Sequence, residues 1–224
     1  KHIDSAPPLI CVKGHLRGTE HSCLSIVGAR NASALGRKFT RQIATNLGAQ
    51  GFIIVSGLAR GIDTAAHQAA SRTGTVAVLA GGIDIIYPPE NDGLYRQIID
   101  DGGAIVTEMT PGTVPQAKHF PRRNRIISGM SYGTIVIEAA KRSGSLITAR
   151  LALEQGREVF AVPGSPLDPR AAGTNALIRQ GAVLTENAKD VLEVILPLTQ
   201  RDDPFGERLD DPGAADDDIT PLGE

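Results

Sequence analysis

Seven short, mostly apolar runs recur along this chain, and each is separated from the next by a segment with helical character. Runs this short and this apolar are typical of strands that are buried on both faces of a sheet. They occupy residues 24–27, 52–55, 75–80, 104–107, 134–137, 158–162 and 182–184. Repeated strand–helix–strand units connect parallel neighbours, so the sequence predicts an α/β fold with a doubly wound, mostly parallel sheet.

The segment between the first two runs shows helical spacing clearly. Apolar side chains recur at every fourth position from Leu35 to Leu47, Ser33 is suited to the N-cap, and Gly51 is suited to end the helix. Further helices are predicted at residues 63–71, 93–101, 122–130, 145–155, 172–180 and 188–196. An additional edge strand is expected within residues 8–16.

The charge distribution divides the chain into two parts. Its 224 residues include 23 basic and 25 acidic side chains, a formal net charge of -2, and 41% are hydrophobic, enough for a substantial core. Acidic residues are concentrated near the C-terminus together with Pro and Gly. We therefore expect a domain over residues 1–200, with residues 1–20 as a lead-in and edge strand. Residues 201–224 are expected to form an acidic, flexible tail.

Several classes of protein are disfavoured by the motifs that the sequence lacks. Cys11 and Cys23 show no CxxC or Cys/His spacing, so we expect neither a disulfide framework nor a metal site, and a cytoplasmic location fits. No apolar run approaches the roughly 20 residues of a membrane span. Neither GxGxxG after a strand nor a P-loop occurs, so no nucleotide cofactor is expected. Because the chain begins with Lys1, we expect it to be a fragment.

The turns after the predicted strands carry glycines and cations that suit an anion site. In a doubly wound sheet, ligands bind beyond the carboxyl ends of the strands. Residues 56–63, SGLARGID, end one strand and open a helix, so backbone N–H groups and an arginine would surround a phosphate. A tight turn without a ligand is the alternative. The candidate binding residues in these turns are Gly28, Arg30, Ser56, Gly57, Arg60, Gly61, Lys141, Ser143, Gly144 and Ser145.

A second cluster of cations opens the helix predicted near residue 122. Cations at a helix N-terminus oppose the helix dipole, so a bound anion would compensate them. A solvated basic face is the alternative, and the aromatic ring in this segment could stack on a base or fill the core. The candidate residues here are Phe120, Arg122, Arg123, Asn124 and Arg125.

Six motifs stand in order over nearly all of residues 8–195. They are IVGAR at residues 26–30, SGLARGID at 56–63, AGGID at 80–84 with YP at 87–88, FPRRNRII at 120–127, EA at 138–139 with SGSLITA at 143–149, and FAVPG at 160–164. Together they resemble the DprA (DNA-processing protein A, Smf) family. The resemblance implies an extended Rossmann-like domain that binds single-stranded DNA, protects incoming DNA, forms homodimers and helps load the RecA recombinase in natural transformation. It implies no catalytic activity.

The resemblance also assigns surfaces to this sequence. The family's DNA pocket maps onto Arg30, residues 56–63, residues 120–125 and residues 141–145, which include all of the candidates above except Gly28. Residues 173–184 resemble the family's self-association surface. Its expected dimer contacts are Asn175, Leu177, Ile178 and Leu184, with Asn175 pairing across a two-fold axis.

A nucleotide-hydrolysing enzyme is the alternative interpretation. Phosphoribohydrolases of the Lonely Guy type share the Rossmann-like topology, and residues 123–137 resemble their Arg-Lys helix and the strand after it. Their Pro-Gly-Gly is replaced here by residues 138–140, EAA, and no acid follows until Glu154. A nucleotide N-glycosidase needs a carboxylate beside the ribose, so the sequence favours DNA binding. A protein-interaction scaffold, the third class, would not require arginines on the ligand rim.

Overall fold

One eight-stranded sheet runs through the computed structural model, which describes residues 3, 5–15 and 22–201. Its strands are β1 (Cys11–Gly14), β2 (Cys23–Gly28), β3 (Ile53–Ser56), β4 (Thr75–Val78), β5 (Ala104–Thr107), β6 (Gly133–Ile137), β7 (Glu158–Ala161) and β8 (Val183–Leu184). Their order in the sheet is β1-β5-β4-β3-β2-β6-β7-β8. Only the β1–β5 pair is antiparallel. The predicted α/β fold with a mostly parallel, Rossmann-like sheet is confirmed.

Helices cover both faces of this sheet. They are α1 (Ala34–Ala49), α2 (Ile62–Ala70), α3 (Asp92–Asp100), α4 (His119–Gly129), α5 (Gly144–Glu154), α6 (Ala172–Arg179) and α7 (Ala188–Arg201). Short 3₁₀ turns at Pro89–Asn91 and Pro169–Ala171 precede α3 and α6. Buried side chains of α1, α2, α3 and α7 pack on one face, and those of α4, α5 and α6 pack on the other.

Two helix boundaries differ from the sequence prediction by more than one residue. α4 begins at His119 rather than at residue 122, because Pro121 falls in its first turn, where the missing backbone N–H costs no hydrogen bond. α7 was expected to end at residue 196 but continues through Pro197 to Arg201, and its buried Val191 and Ile195 anchor it to the sheet. The predicted edge strand is present as β1. Residues 202–224, most of the predicted tail, lie outside the described residues, so that assignment stays a prediction.

The chain reverses its winding direction next to β2. The strands β3, β4 and β5 extend the sheet on one side of β2, whereas β6, β7 and β8 extend it on the other. The crossovers that leave β2 and β6 therefore diverge, and a crevice opens beyond the carboxyl ends of these two strands. The fold thus brings together the loop after β2 and the loop between β6 and α5.

Candidate nucleic-acid interface

Two adjoining cavities open at the carboxyl ends of β2 and β6. The larger has a volume of about 480 Å³ and lies between the loop after β2, the start of α4 and the loop before α5. The smaller has a volume of about 270 Å³ and extends from the same loop toward Tyr87. Both are lined by Arg30, Asn31, Ala59 and Phe120. We call the two cavities together the cleft.

A cation and two aromatic rings form one wall of the cleft. The guanidinium carbon of Arg30 lies 5.0 Å from the centre of the Phe120 ring, a cation–π distance. The Phe120 and Tyr87 rings meet edge to face, with their centres 5.7 Å apart. Arg30 is exposed and forms no ion pair with any residue that the structure describes. This wall can bind a phosphate at Arg30 and a base against a ring.

The turn at residues 56–63 contains an anion of its own. Asp63 is buried, and its Oδ2 accepts the backbone N–H groups of Gly57 and Ala59 at 3.1 and 3.3 Å. Ser56 is also buried and donates its hydroxyl to the carbonyl oxygen of Ile26 at 2.6 Å. The N–H groups of Gly57 and Ala59 are therefore not free to bind an external phosphate, because the Asp63 carboxylate accepts them.

The two glycines of this turn make room for protein atoms rather than for a ligand. A Cβ atom on Gly57 would lie 2.3 Å from Nη1 of Arg123, and one on Gly61 would lie 2.3 Å from the carbonyl oxygen of Ala29. Gly61 also has a φ of +79°, which favours glycine. Both positions thus permit close packing between the loop after β3 and its neighbours. Gly57 still lines the smaller cavity with its backbone.

Arg123 is a buried cation that interacts electrostatically with Asp63. Its side chain is directed into the protein, with 5% of the residue exposed, and Nη1 donates to the carbonyl oxygens of Gly57 and Val78. Burial lowers the pKa of Arg123 to about 10, so it stays protonated at neutral pH. Burial raises the pKa of Asp63, while the Arg123 charge opposes that rise. Arg123 lines the larger cavity, but its bonds make it a structural cation and not the free phosphate ligand that we expected.

The other two arginines of α4 are paired with Glu108. The Glu108 side chain is 4% exposed, and it forms ion pairs with Arg122, at 3.0 Å between Nε and Oε1, and with Arg125. Arg125 also donates to the carbonyl oxygen of Ser5. A protein carboxylate therefore compensates the cations that oppose the α4 dipole, where the sequence indicated a bound anion. Neither arginine lines the cleft.

The start of α5 forms the far wall of the larger cavity. Ser143 is its N-cap, and the Ser143 hydroxyl accepts the backbone N–H of Ser145 at 3.3 Å. Gly28, Asn124, Ser143, Gly144 and Ser145 all line the cavity here, as the sequence predicted. Asn124 is buried and its amide lies 3.4 Å from the carbonyl oxygen of Gly144, so it joins α4 to α5. Lys141 is exposed in the preceding loop but does not line the cavity.

Several lining residues were not named individually as candidates in the sequence analysis. Arg142 lies inside the turn already singled out after β6, and its exposed cation could have been included on that ground. Arg170 reaches the larger cavity from the 3₁₀ turn before α6, and no local sequence signal places it there. It is paired with Asp168. Arg60, which was predicted, lines the smaller cavity and is paired with Glu90.

The predicted dimer contacts divide into exposed and buried residues. Leu184 on the edge strand β8 is 46% exposed, and Ile178 is partly buried. Leu177 packs in the core with 8% exposure. The Asn175 side chain bonds to the backbone N–H and carbonyl oxygen of Gly164 at 3.1 and 2.9 Å. Leu177 and Asn175 therefore make contacts within the subunit, and their expected roles across a two-fold axis stay predictions.

Carboxylates near the cleft are bonded to the protein. Glu138 follows β6 with a φ of 53° and accepts both the backbone N–H and the hydroxyl of Ser33 at the start of α1. Within residues 3, 5–15 and 22–201, no cluster of three His, Cys, Asp or Glu side chains could hold a metal ion. None of the helices in this part of the chain is long and apolar enough to cross a membrane.

Comparison with solved structures finds two proteins whose overall fold is similar to that of this chain. The X-ray structure of DNA processing protein A from Streptococcus pneumoniae matches with a TM-score of 0.81 at 44% identity, over 86% of this chain and 68% of that one. A DNA processing protein A from Helicobacter pylori, whose structure describes a single-stranded DNA binding mode, matches with a TM-score of 0.80 at 27% identity. That match covers 87% of this chain and 90% of the other.

Sequence comparison gives the family. Protein Smf of Escherichia coli is 46% identical over 189 residues, which are 84% of this chain and 50% of that protein. The chain thus spans about half the length of this relative. The model of the DNA recombination-mediator protein A family matches residues 1–196. The chain therefore belongs to the DNA recombination-mediator protein A (DprA/Smf) family.

Proposed function

We propose that the cleft binds single-stranded DNA. The observation that carries this proposal is Arg30, an exposed cation over the Phe120 ring at the mouth of the cleft, without a protein carboxylate as partner among the described residues. A flexible strand could place a phosphate at Arg30 and a base against Phe120 or Tyr87, and a second phosphate could approach the N-terminus of α5. The single-stranded DNA described for the Helicobacter pylori relative supports the same ligand class.

The proposal includes the cellular role that the family resemblance implies. The chain would protect incoming single strands in the cytoplasm, help load the RecA recombinase during natural transformation, and act without catalysis. Two carboxylates support the non-catalytic assignment, since Asp63, which lines the larger cavity, and Glu138, which follows β6, both accept hydrogen bonds from the protein. A homodimer through the β8 edge belongs to the same proposal and is supported by the exposed Leu184.

Titration of labelled oligothymidine tests the proposal. Binding that contacts about four phosphates should give a slope of log K against log salt near roughly -3. We expect Arg30→Ala to lower the affinity about ten- to a hundredfold, the size of one lost charge-assisted contact. Its melting temperature should not change, because Arg30 is exposed.

Arg72→Ala is the matched control. Arg72 is exposed after α2, at the opposite end of the strands from the cleft. Arg157, also at that end, is a poor control because it is buried and bonded to the carbonyl oxygen of Gly129. Equal losses for Arg30→Ala and Arg72→Ala, or equally tight binding to blunt duplex, would contradict a single-strand cleft. Hydrolysis of nucleoside monophosphates by the parent would instead support the phosphoribohydrolase alternative.

A further inference from the structure

The exposed face of α1 carries cations and no acids. Arg37, Lys38 and Arg41 are all exposed, and the helix contains neither Asp nor Glu over its 16 residues. Arg37 and Arg41 are four residues apart, so they lie on the same side of the helix, about 6 Å apart along its axis. We call these three residues the α1 stripe.

Unlike the α1 stripe, three other exposed cations on helices are paired with acids. Arg96 pairs with Asp92 on α3, Arg150 with Glu154 on α5, and Lys189 with Glu193 on α7, each at i,i+4 spacing. Within the described residues, the α1 stripe has no ion pair of this or any other kind. Its positive charge is therefore uncompensated by the described part of the chain, and Arg37, at the end of the first turn, opposes the α1 dipole.

The α1 stripe also begins beside the cleft. α1 follows β2 through the loop that contains Arg30 and Asn31, both of which line the two cavities. Arg37 donates Nη1 to the carbonyl oxygen of Ala32 in that same loop. Arg37 thus bonds to the loop that borders the cleft, and Lys38 and Arg41 follow it along the same helix.

We propose that the α1 stripe extends the single-strand path out of the cleft, by contacting phosphates of nucleotides that the cavities do not hold. This inference rests on the proposed function. An unpaired cation row that starts at the rim adds electrostatic attraction for a strand already bound at Arg30. These contacts are made to phosphates and not to bases. The affinity should therefore increase with the length of the strand and should not depend on its sequence.

The test compares two lengths of oligothymidine, about six and about twenty nucleotides, on the same variants. The paired substitution Lys38→Gln with Arg41→Gln removes two charges from the α1 stripe and leaves Arg37 bonded to Ala32. We expect this variant to bind the longer strand about five- to twentyfold more weakly. Its salt slope should become shallower by about 1.4, or 0.7 for each lost contact. Binding of the short strand should be unchanged.

Arg72→Gln with Arg96→Gln is the control, since it removes one exposed charge from α3 and one from the turn after α2. Equal weakening by both double variants would overturn the inference in favour of diffuse attraction. It would also be overturned if the α1 variant weakened both strand lengths equally, or if the parent bound the longer strand no more tightly. A parent that binds neither length would contradict the proposed function itself, and melting temperatures verify that every variant is folded.

Discussion

His67 fixes the turn that shapes the floor of the cleft. Its Nε2 accepts the backbone N–H of Leu58 at 3.3 Å, and its Nδ1 lies 2.7 Å from the Thr75 hydroxyl, which itself donates to the carbonyl oxygen of Ile54. These partners require a neutral ring with its proton on Nδ1. Leu58 has a φ of 55°, so His67 stabilises a strained residue directly after Gly57.

Protonation of His67 should destabilise the fold. Burial, together with the Arg123 charge, lowers the pKa of His67 from 6.5 to about 3. The unfolded chain therefore binds the proton first, and the stabilisation present above pH 6.5 is lost as the pH falls toward 3. Below about pH 6, the contribution of His67 to the free energy of unfolding should fall by about 1.4 kcal/mol for each unit by which the pH is lowered. Denaturant unfolding of the parent between pH 7.5 and 4.5 measures this slope.

His67→Gln is the control for that slope. Burial raises the pKa of Asp63, and its protonation changes the stability in the opposite direction at the acid end. The difference between the pH slopes of the parent and the variant therefore isolates the contribution of His67. The variant should be less stable at pH 7.5 but should lose less stability on acidification. Parallel slopes for parent and variant would show that the imidazole does not contribute to the pH dependence.

Residue roles were predictable where they depended on local sequence and not where they depended on burial. Arg30 and Phe120 lie at the cleft as expected, because each directly adjoins the end of a strand or the start of a helix. Arg123 is buried with Ile126 and Ile127, at helical spacings of three and four. That spacing is present in the sequence, but the sequence analysis did not use it to place Arg123 on the core-facing side of α4. Glu108 directly follows β5, and its ion pairs connect that position to α4 across the intervening loop. No sequence pattern indicated these pairs.

At the scale of elements, the order of strands and helices could be predicted because each strand is a short apolar run between helices. Register and pairing could not, since they depend on contacts between distant segments. β1 is antiparallel to β5, and β2 lies between β3 and β6. The position of the cleft followed from the general rule for parallel sheets. The sequence did not indicate that the cleft consists of two cavities, of which the smaller is lined by Tyr87.

The β8 edge gives a prediction about association. Leu184 is exposed on a strand that pairs on one side only, with β7. We expect the parent to sediment as a dimer at high concentration. Leu184→Arg should shift it to a monomer, because a charge would be buried without a partner in the interface. Leu153→Arg, at an exposed apolar position on α5, is the control and should sediment as the parent does. If Leu184→Arg remains a dimer while folded, the contact surface is elsewhere.

At the scale of the whole molecule, charge is strongly polarised along the chain. Residues 202–224 contain nine acidic residues and one basic residue, whereas residues 1–201 contain 16 acidic and 22 basic residues. The formal charges of the two parts are thus -8 and +6, although the chain as a whole carries -2.

Neutralising the acidic segment should tighten DNA binding. We expect the whole chain with Asp→Asn substitutions at residues 210, 211, 216, 217 and 218 to bind oligothymidine about three- to tenfold more tightly at low ionic strength, because less negative charge repels the strand and competes for Arg30. The gain should vanish near 1 M salt, where the screening length is about 3 Å. Shuffling the order of residues 202–224, with every charge kept, is the control and should leave affinity unchanged. An affinity equal to that of the parent at low salt would show that the acidic segment does not act on the cleft.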